Sequence, residues 1–576
     1  MKWIIAYFTV VGFNFGFWIA VGALRFASEQ IPKVLIEFVR RLRSHPRAFL
    51  EYGRQTLWQA TFESAVSFGL FSLFAVTLNV LLGTVEGWLQ FIENFRALTG
   101  PYELVLNPLS AWLFFAFVGG FIARSVIRAS NPAATAIAST TYFFGSILVS
   151  ADLIGIVIPL EAPGTLLLLL ASFVLMLSGE TVAMSGRGSV PTPAQPALPA
   201  GRITPPEVAV IMAAHNEEAV IGQSITAAMA VLPVENIYIG SDASTDRTSA
   251  VARSYGCQVV DIYPNQGKAK TLKHLLDRFQ ICDRYRAVLI LDADIVIRKR
   301  FLDRVLPLFD DPRVAAVPGR SIPRWPAHPG AHQARFITAY RMRLWRMLQF
   351  GLRYAQTWRF TNMTTIVPGA MSTYRASVLR QLEIDAPGLV IEDFNMTFEL
   401  HHKRLGIIAY DLGATVDSTQ PLTIGDYVRQ VKRWYLGWWQ TIWRHGVWPS
   451  AFWAFMASFT LEMVIYGLFV VMVPAILLVM AANGWHSVTI PQFLGVFRQG
   501  TVSLPDLLLG VFLADYLMTI IITLIERKPA LLFYGLGFFV LRFLDALMFI
   551  TMIPASVITK SDGRWVHPKR KPDVSA

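Results

Sequence analysis

Hydrophobic runs near membrane-spanning length lie on both sides of a long polar stretch that holds none, and no other feature restricts the fold of this chain so strongly. The runs at 3–24, 62–82, 109–122, 133–160 and 164–184 precede that stretch, and 455–480, 507–525 and 531–558 follow it. They account for a composition that is 54% hydrophobic and only 16% charged over 576 residues. The loop at 25–60 carries Lys33, Arg40, Arg41, Arg43 and Arg47, and Arg124 and Arg128 follow the third run. The excess of basic residues in cytoplasmic loops then places the N-terminus outside and everything after 184 in the cytoplasm. The same rule explains much of the net charge of +12, so no nucleic-acid partner is called for. Three runs after the polar stretch leave the tail outside, yet Lys560, Arg564, Lys569, Arg570 and Lys571 favour the cytoplasm. The first or last of those runs is long enough for a surface helix or a second crossing. Arg542 and Asp545 stand at helical spacing inside the last one, placed to pair or to line a polar path.

The expected organisation is an N-terminal transmembrane region (1–184, about five helices), a Pro/Gly/Ala linker (185–206) and a cytoplasmic α/β domain (207–424). An amphipathic interfacial helix (425–450), a C-terminal transmembrane region (451–558) and a basic tail (559–576) complete it. The two cysteines, Cys257 and Cys282, both lie in the polar middle, which indicates neither a disulfide framework nor a cysteine metal site.

Within the middle, VAVIMAA (208–214), IYIGSD (237–242), QVVDIY (258–263) and AVLIL (287–291) read as strands separated by helical patterns. That alternation predicts parallel strands joined by right-handed crossovers. In such sheets ligands bind beyond the carboxyl ends of the strands. The polar clusters fall there: His215 to Glu218, Ser241 to Asp246, Asn265 to Lys270, and the DAD of 292–294. If the strand continues through 294, Asp292 and Asp294 point to one side and can hold Mg²⁺ or Mn²⁺ and, through it, a diphosphate. An aspartate ending a strand also starts turns and caps helices. Asp242 and Asp246 suit a base or ribose, while Ser244 to Asp246 also fits a helix cap and first turn. Lys268 after Gly267 suits a phosphate at a helix start. Gly369 suits either close passage of a sugar chain or a simple turn. Asp393 opens a helix, whose N-terminus is expected to lower its pKa and leave it an ionised, mild base. Gln430, Arg433 and Trp434 stand at i, i+3, i+4 and share a helix face suited to a sugar diphosphate; Trp438, Trp439 and Trp443 extend it as an aromatic belt.

The ordered set AAHNEE, SDASTDRT, NQGKAKTL, LDADI, PGAMSTYR, IEDFNMT and QVKRW, spread over 208–437, resembles the membrane-integrated family 2 glycosyltransferases. These include cellulose, chitin, hyaluronan and poly-N-acetylglucosamine synthases. The resemblance implies a GT-A (Rossmann-like) α/β domain between two bundles of transmembrane helices. It implies donor contacts from His215, Glu217, Asp242, Lys268, Asp292, Asp294 and Arg433, with Mg²⁺ or Mn²⁺ on Asp292 and Asp294. Asp393 would be the catalytic base, and Gly369, Glu392, Gln430 and Trp434 would meet the acceptor. The implied reaction is an inverting single displacement on a UDP-sugar (UDP-GlcNAc or UDP-glucose), extending a polysaccharide that is passed across the plasma membrane, with an accessory membrane or envelope subunit as a further partner. Transfer to a lipid acceptor is the alternative, and a non-catalytic scaffold or sugar transporter a third reading. Two positions depart from the family pattern, Ser241 in place of an acid and Ile391 in place of a threonine, and five leading spans exceed the one or two of many bacterial relatives.

Overall fold

The computed structural model describes residues 202–327, 331–483 and 522–559, with isolated positions at 18, 21–22, 25, 28–29, 489–490, 502–503, 512, 515–516 and 518–520. Apart from those isolated positions, the expected spans before residue 200 lie outside the described residues, as do nine of the nineteen residues of 507–525 and the basic tail beyond Thr559. The chain divides into two units, 1–188 with 488–529, and 189–487 with 530–576. In the first, Arg25 pairs with Glu29 one helical turn on, at 2.9 Å. The second holds the α/β domain and the helices that follow it.

The apolar runs form the expected strands. β1 (Val208–Ala214), β2 (Ile237–Asp242), β3 (Gln258–Ile262) and β4 (Ala287–Leu291) are parallel, in the order β3-β2-β1-β4. Every residue of β1 and β4 is buried, because helices cover both faces of the sheet. Val208, Val210 and Met212 pack into one layer, and Ala209, Ile211 and Ala213 into the other. Beyond β4 the sheet changes direction. β8 (Met371–Arg375) runs antiparallel to β4 and to β6 (Val314–Pro318), and β6 pairs in parallel with the short β9 (Ile407–Ile408). A smaller sheet of β5 (Ile295–Ile297), β10 (Thr415–Ser418) and β7 (Arg320–Pro323) lies alongside in that order.

The crossover helices α1 (Ile221–Met229), α2 (Thr248–Ser254) and α3 (Lys268–Arg278) bury stripes at helical spacing; α3 buries Thr271, Leu272, Leu275 and Leu276. A Cβ on Gly240 of β2 would lie 2.4 Å from Thr271 Cγ2, so glycine there lets α3 settle onto the strand. α4 (His332–Arg346) and α5 (Glu392–His402) lead to α6 (Ile424–His445). Thr423 caps α6 by accepting from Asp426 N at 3.1 Å, and Gly446, at φ 61°, ends it.

α7 (Ala451–Asn483) and α8 (Phe538–Ile558) contain the two stretches, Ala451–Val479 and Phe538–Ile558, that among the described residues are long and apolar enough to cross a membrane. The run expected at 531–558 is not one helix: a short helix, Ala530–Gly535, ends before α8 begins, and the turn between them contains Gly537. The tryptophans of α6 pack more than they form a belt. Trp438 and Trp439 are buried, Trp439 Nε1 donates to Phe549 O of α8 at 3.1 Å, and Trp443 Nε1 donates to Ser556 Oγ at 2.9 Å.

Candidate active site

Four segments meet at the carboxyl edge of the sheet, and Lys268 joins three of them. As the first residue of α3, it follows Gly267, whose φ of 85° is accessible to glycine without strain. Its Nζ lies 2.8 Å from Asp292 Oδ1, 2.9 Å from Glu392 Oε1 and 3.3 Å from Gly369 O. An ammonium has three protons, and these three acceptors engage them all. Burial alone would lower the lysine pKa, but Asp292 and Glu392 raise it, so Lys268 stays charged.

Asp292 and Asp294 are not on the strand. β4 stops at Leu291, and the pair occupies the turn into β5, pinned where Asp292 N donates to Ala370 O at 3.0 Å and Ser224 Oγ donates to Ala293 O at 2.7 Å. Strand alternation therefore does not set their direction, although both remain half-buried around a buried Ala293. Burial, with Asp294 and Glu392 close by, pushes the Asp292 carboxyl up against the opposing pull of Lys268. Glu392 is buried; the cost of that burial is outweighed by Lys268, which holds its carboxyl below the usual range, with Arg433 helping. Glu392 thus faces Lys268, where sequence reasoning set it toward the acceptor.

Asp393 sits beside it at the first turn of α5. Its Oδ2 accepts from Gly369 N at 3.1 Å and its Oδ1 from Phe394 N at 2.8 Å. These bonds lower its pKa, as a helix N-terminus does, but they lose to burial and the Glu392 charge, which raise it to about 6. The expected depression is therefore reversed, and Asp393 is a stronger base than its position suggested, still ionised at neutral pH. Gly369 serves close approach: a Cβ there would meet Glu392 Oε1 at 2.6 Å and Lys268 Nζ at 3.2 Å. Those two side chains occupy the space that a Cβ would take.

The loops after β1 and β2 hold each other. His215 Nδ1 donates to Asp242 O at 2.5 Å, Glu217 N to Thr248 Oγ1 at 2.7 Å, and Glu218 N to Asp246 Oδ2 at 3.1 Å. Asp246 also accepts from Thr248 N at 2.9 Å, so it starts α2 as a local turn. Asp242 is fully buried, its carboxylate accepting from Gln266 N at 2.8 Å and Gly267 N at 2.7 Å. In this arrangement it fixes the turn that presents Lys268.

On α6, Gln430 and Trp434 face α4, while Arg433 is exposed. Gln430 Oε1 accepts from Arg341 Nη2 at 3.2 Å, and the Arg341 guanidinium lies 4.4 Å from the centre of the Trp434 ring. Sequence reasoning passed over Arg341, because in HQARFITAYRMRLWR it looks like any basic residue on a helix. Gly437 brings α6 onto the start of α5: its Cβ would lie 2.9 Å from Ile391 Cβ. Asp545 of α8, expected to pair with Arg542 or to line a polar path, accepts from Tyr427 Oη at 2.6 Å and Tyr340 Oη at 2.8 Å and so ties α8 to α4 and α6.

The donor set suits a hard divalent cation. Asp292, Glu392 and Asp393 gather round one lysine, with Asp294 close to Asp292, and burial together with the neighbouring acids raises the Asp292 and Asp393 carboxyls. Among the described residues no cluster of three or more His, Cys, Asp or Glu side chains is placed to hold a metal alone. A magnesium-type site can rest on one or two carboxylates, with the remaining ligands from phosphate and water.

Residues 205–437 match a family model described as glycosyltransferase like family 2. No curated protein matches the chain. Among solved structures, the mannosyltransferase PcManGT from Pyrobaculum calidifontis, in complex with GDP-Man and Mn²⁺, is 17% identical, covers 73% of this chain and 99% of its own, and has a TM-score of 0.40. Glucosyl-3-phosphoglycerate synthase from Mycobacterium tuberculosis, with Mn²⁺, UDP and phosphoglyceric acid, is 18% identical over 44% of this chain and 81% of its own, TM-score 0.27. Mannosyl-3-phosphoglycerate synthase from Rubrobacter xylanophilus is 19% identical over 43% and 78%, TM-score 0.29.

Proposed function

We propose, from the premise that residues 205–437 are a glycosyltransferase family 2 domain, that the chain is an inverting, processive enzyme extending a β-linked polysaccharide from a UDP-sugar, UDP-GlcNAc or UDP-glucose, and passing it across the membrane. The observation that carries this reading is the convergence of Lys268, Asp292, Glu392 and Asp393 within hydrogen-bonding range of one another or of Gly369. A base, an anion site and a cation site then share one small volume.

The chain's residues divide the work. Asp393 takes the proton from the acceptor hydroxyl as that oxygen attacks the anomeric carbon from the side opposite the leaving diphosphate. Its pKa of about 6 keeps it deprotonated at neutral pH and close to the value that suits proton transfer. Gly369 N, donating to Asp393 Oδ2 at 3.1 Å, fixes the carboxylate's orientation. Asp292 and Asp294 would hold Mg²⁺ or Mn²⁺, which when bound neutralises charge on the leaving diphosphate. Lys268 and Arg433 supply positive charge on the same side. Gln430 and Trp434 form the acceptor side, Trp434 offering its ring to a sugar face.

Processivity is supported by position. α6, which carries Gln430 and Trp434, packs along α8 through Tyr435 and Trp439, both 5.2 Å from the Phe549 ring. An acceptor leaving Trp434 along α6 would meet α8, a helix apolar and long enough to span a membrane. The test is product size: purified protein in lipid nanodiscs is supplied with UDP-GlcNAc or UDP-glucose and Mn²⁺, and the product is sized by chromatography and mass spectrometry. Long chains from one donor support the reading. A single sugar on a lipid refutes processivity and leaves the transferase intact.

A further inference from the structure

Arg341 is only 1% exposed, yet it carries a charge and stands beside two of the residues assigned to the acceptor. Its guanidinium lies 4.4 Å from the Trp434 ring centre, 4.8 Å from Tyr427 and 5.1 Å from Trp345. Its Nη2 donates to Gln430 Oε1 at 3.2 Å, and its Nε is buried without a hydrogen-bond partner. A guanidinium taken out of water is costly unless its surroundings compensate. Three aromatic faces supply part of that compensation. Asp545 supplies more: Tyr427, whose ring faces Arg341, donates to it at 2.6 Å, and Tyr340, the neighbour of Arg341 on α4, donates at 2.8 Å. The chain thus accepts an expensive buried cation here, with a carboxylate from α8 held near it by the two tyrosines. Packing alone would be served as well by an apolar side chain of similar volume.

We infer that Arg341 is a positioning residue for the acceptor: it fixes the plane of Trp434 and the direction of the Gln430 amide, so that the acceptor sugar meets a platform already in place. The inference rests on the acceptor role proposed above for Gln430 and Trp434. A planar guanidinium can lie flat on an indole, as a lysine ammonium cannot. A platform held before binding spares the acceptor the cost of ordering it. Arg341 covers one face of Trp434, and the half-buried indole keeps surface for a sugar. Lys268, Asp292 and Asp393 do not contact Arg341 in any of these interactions, so donor chemistry and acceptor placement separate.

The experiment uses full-length protein in nanodiscs, with UDP-GlcNAc and UDP-glucose as donors and chito- and cello-oligosaccharides as acceptor probes. Wild type is compared with Arg341→Met, Arg341→Lys, Trp434→Ala and the double variant Arg341→Met/Trp434→Ala. The readouts are acceptor KM, donor KM, and release of UDP to water without acceptor. Arg341→Met is expected to raise acceptor KM roughly tenfold while donor KM and UDP release to water stay within about twofold. Arg341→Lys is expected to recover part of the loss, and the double variant to lose less than the two single losses combined, because Arg341 acts in part through that ring and in part through Gln430. Equal loss of transfer and of UDP release to water, or additive effects in the double variant, would overturn the inference. If Arg341→Met does not fold, Arg341→Lys with and without Trp434→Ala decides the same question. A wild type that turns over no donor overturns the transferase reading itself, and the acceptor role falls with it; a wild type that transfers while Arg341→Met keeps its acceptor KM overturns only the role of Arg341.

Discussion

The ammonium of Lys268 lies 2.9 Å from Glu392 Oε1, and this contact joins the start of α5 to the start of α3. Because the same ammonium also engages Asp292 at 2.8 Å and Gly369 O at 3.3 Å, it has no proton left for a diphosphate until one of them is released. Lys268→Met leaves the acids uncompensated. We expect turnover to fall by more than about tenfold, and added Mn²⁺ to raise the unfolding temperature of the variant more than that of wild type, since the cation replaces a missing charge. Thermal unfolding with and without Mn²⁺ checks this; equal shifts in the two proteins count against it.

Asp393 sets the acid limb of activity. With its carboxyl raised to about 6 by burial and by Glu392, kcat/KM is expected to fall as pH drops through that value, because the base becomes protonated. The linkage has a fixed sign. A carboxyl raised on folding favours the folded state below its unfolded pKa, and that advantage is lost as pH rises through about 6. Asp393→Asn, which carries no charge, is therefore expected to melt no lower than wild type at neutral pH while being inactive. A pH–rate profile and paired melting curves test both halves; an acid limb near 4 would remove the raised pKa.

Gly437 and Ile391 set the distance between the acceptor helix and the catalytic turn. A Cβ at 437 would lie 2.9 Å from Ile391 Cβ, so Gly437→Ala pushes α6 away from α5 at a cost of about 1–3 kcal/mol. Acceptor KM should rise with it. Ile391→Ala removes the Cγ1 and Cδ1 that the new Cβ would meet at 3.0 and 3.1 Å but keeps the Ile391 Cβ, so the double variant is expected to recover part of the loss, giving a coupling that independent sites would not show. Melting temperature and acceptor KM across the four proteins provide the cycle; strict additivity contradicts the packing argument.

The strands that carry the site were readable from the sequence. Val208–Ala214 and Ala287–Leu291 are so uniformly apolar that only a sheet covered on both faces can bury them, and the polar clusters after them fell at the expected edge. What sequence reading missed depends on long-range contact. The antiparallel β8 and the end of β4 at Leu291 are decided by pairing with segments distant in the chain. The pKa of Asp393 was misjudged because the helix start was visible locally, whereas the burial and the Lys268–Glu392 pairing around it were not. Arg341 was overlooked because a basic residue on a helix is ordinarily solvated, and only the rings of Tyr427 and Trp434 and the acid of α8 show that it is enclosed. Asp545, by contrast, stood out as an acid in an apolar run, though its partners came from outside its helix.

The most direct measurement is UDP release by full-length protein in nanodiscs, with UDP-GlcNAc and UDP-glucose in the presence of Mn²⁺, for wild type and Asp393→Asn side by side. Turnover of one donor by wild type, reduced by about three orders of magnitude or more in a variant that melts like wild type, is the expected result. Turnover that persists in Asp393→Asn would contradict the assignment of Asp393 as the base on which the proposed chemistry depends.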